Sequence, residues 1–176
     1  MPADDDTEYE LRELRPGDKV GSISMGCEIY IPLKTFLKNH AKKYQEQYLA
    51  KTYVIRKDNQ DVVIAYVTLV CGEIVHELDE NELDGAQFTH KQYPALKLAR
   101  LAIDRRYRGC GLGRNLVDFS VGRARHIAKA AGCRFVVVDA KKPSVEFYEK
   151  CGFRLIDTPA NIQRNEPVMF FDLKKT

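Results

Sequence analysis

The feature that most restricts the fold of this chain is a strand-like segment followed by a glycine-rich loop and a helix. Residues 95–103 alternate in the manner of a strand, and apolar side chains at three- and four-residue spacing predict a helix over residues 113–131. The loop between them reads Arg108-Gly109-Cys110-Gly111-Leu112-Gly113. Glycines let a backbone pass close to a ligand, and the free N–H groups at a helix start attract phosphate oxygens. This unit predicts a phosphate-binding turn in an α/β protein.

The same loop disfavours two common nucleotide sites. It lacks the Gly-Lys-Ser/Thr ending of a nucleoside triphosphate loop, and its evenly spaced glycines do not match the G-x-G-x-x-G of dinucleotide-binding proteins. A purely structural use of the glycines, in a tight strand-to-helix turn, stays open at this point.

The rest of the chain predicts a single α/β domain over residues 15–176, preceded by an acidic, flexible tail at residues 1–14. Two β-rich runs at residues 52–56 and 62–71, with a polar loop between them, predict an antiparallel hairpin. The acidic stretch 73–92 is interpreted as a loop or an irregular helix. The other predicted elements are a helix at 32–48, a strand at 135–138, a helix at 144–150 and a strand pair at 154–156 and 168–173.

Composition bounds the partners and the compartment. Residues 1–84 carry 10 Lys/Arg and 17 Asp/Glu, whereas residues 85–176 carry 18 and 8, which indicates a polyanionic ligand on the C-terminal part, although a solvated surface gives the same pattern. The longest apolar run is about half of the ~20 residues that span a bilayer. The five cysteines are scattered and no export signal is present, which predicts reduced thiols in a cytoplasmic protein. The four histidines are also far apart, so no metal site is predicted. No membrane contact is expected.

A second signature lies one predicted helix and one strand downstream, at Phe147-Tyr148-Glu149-Lys150-Cys151-Gly152-Phe153. With it, the chain resembles the GNAT (Gcn5-related) N-acetyltransferases. Their pyrophosphate loop reads Gln/Arg-x-x-Gly-x-Gly/Ala, which Arg108, Gly111 and Gly113 match, and their later segment reads Phe-Tyr-x-x-x-Gly-Phe. The resemblance implies the GNAT acyl-CoA N-acyltransferase fold, a mixed central sheet flanked by helices, and transfer of an acetyl group from acetyl-CoA to a primary amine by direct attack on the thioester.

The resemblance also implies where the cofactor and the chemistry lie. The pyrophosphate of acetyl-CoA would sit on the loop backbone, and the pantetheine would pair with the strand ending at Ile103, whose N–H would stabilise the thioester oxyanion. Tyr148 would protonate the departing thiolate, although simple packing under the cofactor is the alternative. The implied cofactor-binding residues are Leu101, Ala102, Ile103, Arg108, Gly109, Cys110, Gly111, Leu112, Gly113 and Ser144.

Three features of the site stay open at the level of sequence. Many family members carry Asn where Lys141 stands here, so the pantetheine contact made by that residue is in question. The 3′-phosphate of CoA has three candidates: Arg106, Arg114 and Lys142. The general base has three weaker ones: Glu73, His76 and Glu77.

The acceptor amine has two competing interpretations. Residues 99–113 and the early helix look like the GNAT toxins of bacterial toxin–antitoxin pairs, which acetylate the amino group of aminoacyl-tRNA. That resemblance implies tRNA, an antitoxin protein and a second copy of the chain as partners. Phosphate contacts would then come from Arg105, Arg106, Arg123, Arg125 and Lys129. The acidic stretch favours instead a small amine, such as a polyamine or an antibiotic, or a protein amine. A catalytically silent CoA-binding module is the alternative of another class.

Overall fold

A computed structural model describes residues 8–57, 60–75 and 92–175. The strands are β1 (Tyr9–Glu13), β2 (Lys51–Lys57), β3 (Val63–Ile74), β4 (Tyr93–Ile103), β5 (Phe135–Asp139), β6 (Arg154–Leu155) and β7 (Val168–Asp172). The helices are α1 (Ile31–Asn39), α2 (Ala41–Glu46), α3 (Leu112–Ala128), α4 (Val145–Lys150) and α5 (Pro159–Ile162). One seven-stranded sheet has the order β1-β2-β3-β4-β5-β7-β6. It is mixed, because β4 and β5 are parallel whereas β1–β2, β2–β3, β5–β7 and β6–β7 are antiparallel.

The chain divides into two compact units, Met1–Val70 with Ala99–Asp118 and Cys71–Leu98 with Phe119–Thr176. In the first unit β2 and β3 form the predicted hairpin, and α1 lies on the sheet through Phe36 and Leu37, both buried. Tyr66 of β3 is fully buried, and its hydroxyl donates to the Leu33 carbonyl of α1 at 2.6 Å. Burial raises the pKa of Tyr66 far above its usual value, so this phenol stays neutral.

The segment at residues 9–13, which the sequence assigns to an acidic tail, is instead the edge strand β1. It pairs antiparallel with β2 because basic side chains of β2 face its acidic ones. Glu10 pairs with Arg56 and Glu13 with Lys51 across the two strands. Cross-strand pairs of opposite charge stabilise a sheet edge, and charges there also discourage pairing with other chains.

The single helix predicted over residues 32–48 is interrupted. His40 leaves the helical region, with φ −127°, and separates α1 from α2. The second helix ends at Glu46, and Tyr48 then adopts a left-handed backbone with φ 57°. The apolar period continues through His40 because the Tyr44 N–H still donates to the His40 carbonyl at 2.9 Å. The apolar spacing therefore predicts the buried Phe36, Leu37 and Ala41 correctly, but it also assigns the exposed Tyr44 and Tyr48 to the buried face and misses the break.

The second unit contains the parallel pairing of β4 with β5, from Ala95↔Phe135 to Lys97↔Val137. Its core includes Phe135, which makes edge-to-face contacts with Tyr93 at 6.1 Å and Phe170 at 5.6 Å. The short helix α5 was not predicted. It places the buried Asn161, whose side chain bonds to the backbone of β7 and of the segment after β6.

Candidate active site

The turn between β4 and α3 has the geometry of a phosphate cradle. After β4 a 3-10 turn over Arg105–Tyr107 leads to an extended Arg108, and Gly109 and Gly111 then have φ of +82° and +79°. A Cβ at either glycine would meet nothing within 4 Å, so glycine is required by the left-handed backbone and not by crowding within the chain. The first α3 hydrogen bond joins the Asn115 N–H to the Gly111 carbonyl at 3.0 Å. The backbone N–H groups at the start of a helix are a general site for phosphate oxygens.

Asp104 anchors this turn from below. Its side chain is fully buried and accepts from the Ser24 N–H and the Arg106 N–H, both at 2.9 Å. The Arg106 guanidinium adds two further bonds at 2.9 and 2.7 Å. Burial opposes the charge of Asp104, but these hydrogen bonds outweigh it and lower its pKa to about 2. An ionised carboxylate therefore fixes the point where β4 becomes the loop.

Residues 22–27 brace the other side of the loop. The Arg105 N–H donates to the Ser24 carbonyl at 2.8 Å, and the Arg108 guanidinium donates to the Met25 carbonyl at 2.7 Å. The Arg108 guanidinium also lies over the ring of Tyr30, 5.4 Å from its centroid. Arg108 is therefore held by the protein itself and shapes the loop with its side chain.

The basic residues proposed for phosphate contacts differ in the partners they have within the protein. Arg106 is engaged by Asp104, and Arg114 pairs with Asp118 at 3.3 Å on the exposed face of α3. Arg105 is different, since its side-chain stem packs against Gly26 and its backbone is fixed while the residue is exposed. Arg105 is therefore exposed to an external anion, whereas Arg106 and Arg114 are already paired with aspartates.

The end of β4 shows the alternation expected of a strand. Ala102 is buried in the core of the first unit, whereas Leu101 and Ile103 are half-buried and belong to the opposite face. The strand end, the Asp104 anchor and the glycine loop are thus consecutive in the first unit. The predicted residues from Leu101 to Gly113 form one continuous arrangement.

The second unit holds the other two predicted residues. Ser144 precedes α4, and its N–H donates to the Lys141 carbonyl at 2.7 Å. Tyr148 is buried in α4, with its ring 5.0 Å from that of Phe147 and 5.5 Å from that of Phe153. These contacts fix the ring of Tyr148 in position.

Lys141 stands where many family members carry Asn, and it has another partner. Its ammonium group pairs with Glu166 at 2.6 Å. The lysine therefore contacts the segment before β7, and it differs from the usual amide in charge.

The general base is less well defined than the loop. Glu73 lies exposed near the end of β3, while His76 and Glu77 lie outside the described residues. Within the described ranges, no cluster of His, Cys, Asp and Glu could hold a metal ion. In the same part of the chain, no helix is both long and apolar enough to cross a bilayer.

Two side-chain interactions of the first unit were not predicted from the sequence. Asp104 could have been noticed as an aspartate directly before a turn, where its side chain can cap the following N–H groups. The stacking of Arg100 on Phe36, with the guanidinium carbon 3.7 Å from the ring centroid, left no signal because 64 residues separate the two in the chain.

Solved structures of two bacterial toxins share this fold. The toxin AtaT complexed with acetyl-methionyl-tRNAfMet has a TM-score of 0.80 at 22% identity, with 95% of this chain and 96% of that chain covered. A KacT mutant with a tyrosine replaced by phenylalanine has a TM-score of 0.79 at 23% identity, with the same coverage. The predicted fold class, a mixed sheet with flanking helices, is confirmed.

Comparisons of sequence agree. A tRNA-acetylating toxin of Mycobacterium tuberculosis is 26% identical over 148 residues, which cover 84% of this chain and 85% of that protein. A blasticidin-S acetyltransferase of Streptomyces morookaense is 33% identical over 90 residues, or 51% of this chain and 60% of that protein. Residues 49–155 match the family model of the acetyltransferase (GNAT) domain, which is more than half of the chain. The chain therefore belongs to the GNAT family and is an acyl-CoA N-acetyltransferase.

Proposed function

We propose that this enzyme transfers the acetyl group of acetyl-CoA to the α-amino group of an aminoacyl-tRNA. The observation that carries the proposal is the likeness to the tRNA-acetylating toxin of Mycobacterium tuberculosis, which extends over 84% of this chain. The structural likeness to AtaT, solved with acetyl-methionyl-tRNAfMet, supports the same acceptor. The excess of basic residues in the C-terminal part suits a polyanionic acceptor.

On the donor side, the backbone of the glycine loop would hold the pyrophosphate. The left-handed Gly109 and Gly111 precede α3, and the N–H groups at the start of that helix would donate to the phosphate oxygens. Cys110 and Leu112 contribute backbone only, because a phosphate meets N–H groups here and no side chain. Arg108 is already bonded to Met25, so its contribution is to fix the loop rather than to bind the anion itself.

The thioester would lie beside the end of β4. Leu101 and Ala102 would pair with the pantetheine amides, and the N–H of Ile103 would donate to the thioester carbonyl as it gains negative charge. Ser144, in the turn before α4, would contact the pantetheine.

The chemical step is a direct acyl transfer. The unprotonated amine attacks the thioester carbonyl carbon, the C–N bond forms and the C–S bond breaks, and the amine gives up one proton to solvent or to a base. The departing thiolate takes a proton from Tyr148, and the resulting phenolate regains one from solvent, which balances the proton released by the amine. A phenol with an ordinary pKa of ~10 can supply it to a thiolate of similar basicity when the two are held together, and the packing of Tyr148 restricts its ring accordingly.

The proposed acceptor also sets the partners and the compartment. Aminoacyl-tRNA is present where translation occurs, so the enzyme would act in the cytoplasm. AtaT has been solved bound to the C-terminus of the antitoxin AtaR, and we infer that this chain has a comparable antitoxin partner. A homodimer stays a prediction.

Mass spectrometry with isotope-labelled acetyl-CoA would test the proposal. The enzyme is incubated separately with total aminoacyl-tRNA, with blasticidin S, with a polyamine set and with a lysine peptide mixture. Label on the tRNA-borne amino acid is expected. Label only on blasticidin S or another small amine would contradict the tRNA proposal and support the acceptor class of the Streptomyces relative. If no amine in this set causes release of the CoA thiol, the result would indicate a CoA-binding module without transfer activity.

A further inference from the structure

Three aromatic rings on α1 and α2 form a compact ring cluster. Phe36, His40 and Tyr44 follow one another at four-residue spacing, with ring centroids 6.3 Å apart for the first pair and 6.2 Å for the second. Tyr44 also meets the edge of Phe36 at 5.4 Å. Phe36 is buried, but His40 is exposed and Tyr44 is 38% exposed. Two of the three rings are therefore open to solvent.

Arg100 of β4 stacks on the buried ring of this cluster. Its guanidinium carbon lies 3.7 Å from the centroid of Phe36, and the residue is half-buried. Among the described residues no hydrogen bond or ion pair reaches this guanidinium, and the nearby phenol of Tyr66 is neutral. By contrast, Arg106 and Arg134 each meet an aspartate through two nitrogens.

Since no described carboxylate pairs with Arg100, its guanidinium N–H groups are available to an external anion. Arginine also presents a planar set of donors that matches a phosphate. The surrounding charge points the same way, since residues 31–45 contain four lysines and neither Asp nor Glu. Of these lysines, Lys42 is occupied by the carbonyls of Pro16 and Asp18. The two helices that carry the ring cluster therefore have a net positive charge.

We propose that Arg100, Phe36, His40 and Tyr44 form a binding track for the single-stranded 3′ end of the acceptor RNA. Arg100 binds a backbone phosphate, and the two exposed rings stack on bases. Aromatic rings beside cationic groups are the general means of holding single-stranded nucleic acid, and a duplex offers no free base faces to such rings. This inference rests on the proposed function, since it names how the same site takes its acceptor.

The position of Arg100 along β4 supports this assignment. Arg100 lies three residues before Ile103, which corresponds to about 10 Å along a strand. In an aminoacyl-tRNA, the phosphates nearest the reactive amine are those of the terminal nucleotides. A guanidinium at this distance from the proposed thioester position is thus suited to the end of the RNA rather than to its helical stem.

The test uses two synthetic RNA hairpins that share one stem, one blunt and one with a short single-stranded 3′ extension, and measures their affinity by fluorescence anisotropy. The unmodified protein is expected to bind the extended hairpin more tightly. Arg100→Gln and Tyr44→Ala should each weaken that binding by roughly tenfold, and Arg100→Lys by less, without changing affinity for the blunt hairpin. Tyr48→Ala is the matched control, since this tyrosine is 98% exposed and lies outside the ring cluster.

Equal binding of both hairpins, or unchanged binding of the extended one by both variants, would overturn the track. So would an equal loss for both hairpins, which would indicate only a general charge effect. Thermal melting of each variant identifies any loss that comes from unfolding, and Tyr44→Ala serves if Arg100→Gln is unstable. Extension-dependent binding without acetylation of aminoacyl-tRNA would refute the proposed function and leave the track. Acetylation of aminoacyl-tRNA with an unchanged KM in both variants would refute the track and leave the proposed function.

Discussion

At the scale of single residues, Tyr148 offers the most direct test of the chemistry. Tyr148→Phe removes only the hydroxyl, because the ring remains held by Phe147 and Phe153. We expect kcat to fall by roughly a hundredfold or more, which is typical for loss of a general acid, while the KM for acetyl-CoA stays the same. Steady-state thiol release measures both constants.

Tyr53→Phe is the control for Tyr148→Phe, since Tyr53 is a buried tyrosine of β2 outside the proposed site. It should leave kcat unchanged. If Tyr148→Phe also retains full kcat, Tyr148 serves only to pack under the cofactor, and the thiolate must take its proton from another source.

Asp104 makes a second prediction at this scale, for stability instead of chemistry. In Asp104→Asn the amide nitrogen would face N–H donors that now point at a carboxylate oxygen, namely those of Ser24 and Arg106. We expect a loss of about 2–3 kcal/mol in the free energy of unfolding, together with a higher KM for acetyl-CoA as the loop loosens. Urea titration measures the first quantity.

Asp118→Asn removes an exposed carboxylate that also pairs with an arginine, and it should change stability by no more than about 0.5 kcal/mol. A loss of similar size in both variants would mean that the buried hydrogen bonds of Asp104 contribute no more to the free energy of unfolding than an exposed ion pair.

At the scale of elements, the glycine loop and the helix after it contain a matched pair of glycines. Gly109 has φ +82° and Gly122 lies exposed in α3 with an ordinary backbone, and a Cβ at either would meet nothing within 4 Å. Alanine at Gly109 should cost about 1–2 kcal/mol through backbone strain and weaken acetyl-CoA binding. Alanine at Gly122 should gain about 1 kcal/mol through helix propensity.

Chemical denaturation and acetyl-CoA titration of the two alanine variants would separate these effects. Equal stability changes in both would show that the left-handed backbone at Gly109 carries no cost. Unchanged cofactor affinity in Gly109→Ala would argue that the loop backbone is not the pyrophosphate site.

The elements also show which parts of the fold a sequence can predict. The β2–β3 hairpin and the unit of β4, glycine loop and α3 followed from local periodicity and turn residues, because their defining contacts lie within or next to each segment. The edge strand β1 did not, since its acidic residues become a strand only when Arg56 and Lys51 of β2 stand opposite. The helix break at His40 could likewise not be predicted, because no Gly or Pro lies at that position.

The candidate site divides in the same way. The loop from Arg108 to Gly113 and the segment around Tyr148 could be recognised because each motif is contiguous. The hydrogen bonds of Asp104 involve Ser24, 80 residues away, and the stack of Arg100 involves Phe36. Such contacts are set by tertiary packing, and neither residue type alone distinguishes a buried partner from a solvated surface charge.

At the scale of the whole molecule, three aspartates share one arrangement. Each is almost fully buried and meets an arginine through hydrogen bonds of 2.6 to 3.0 Å. The pairs are Asp18 with Arg12, Asp104 with Arg106 and Asp172 with Arg134. Burial opposes the charge of each carboxylate, but hydrogen bonds from the paired arginine and from backbone N–H groups outweigh it and lower each pKa. These pairs tie loop and strand ends in both units.

The lowered pKa values predict the acid limit of the fold. A carboxylate with a folded pKa below its usual 3.8 adds stability at pH values above that figure and loses it as the pH falls toward the folded pKa, about 2 for Asp104. As far as these three aspartates determine it, we expect the melting temperature to vary little between pH 5 and pH 7. It should drop steeply from about pH 4 to pH 2. Asp104→Asn, already less stable at neutral pH, should show a shallower drop because the group that gains a proton is gone. Circular dichroism melts of both proteins across this range decide the matter, and a parallel drop in the two curves would assign the acid limit to carboxylates other than Asp104.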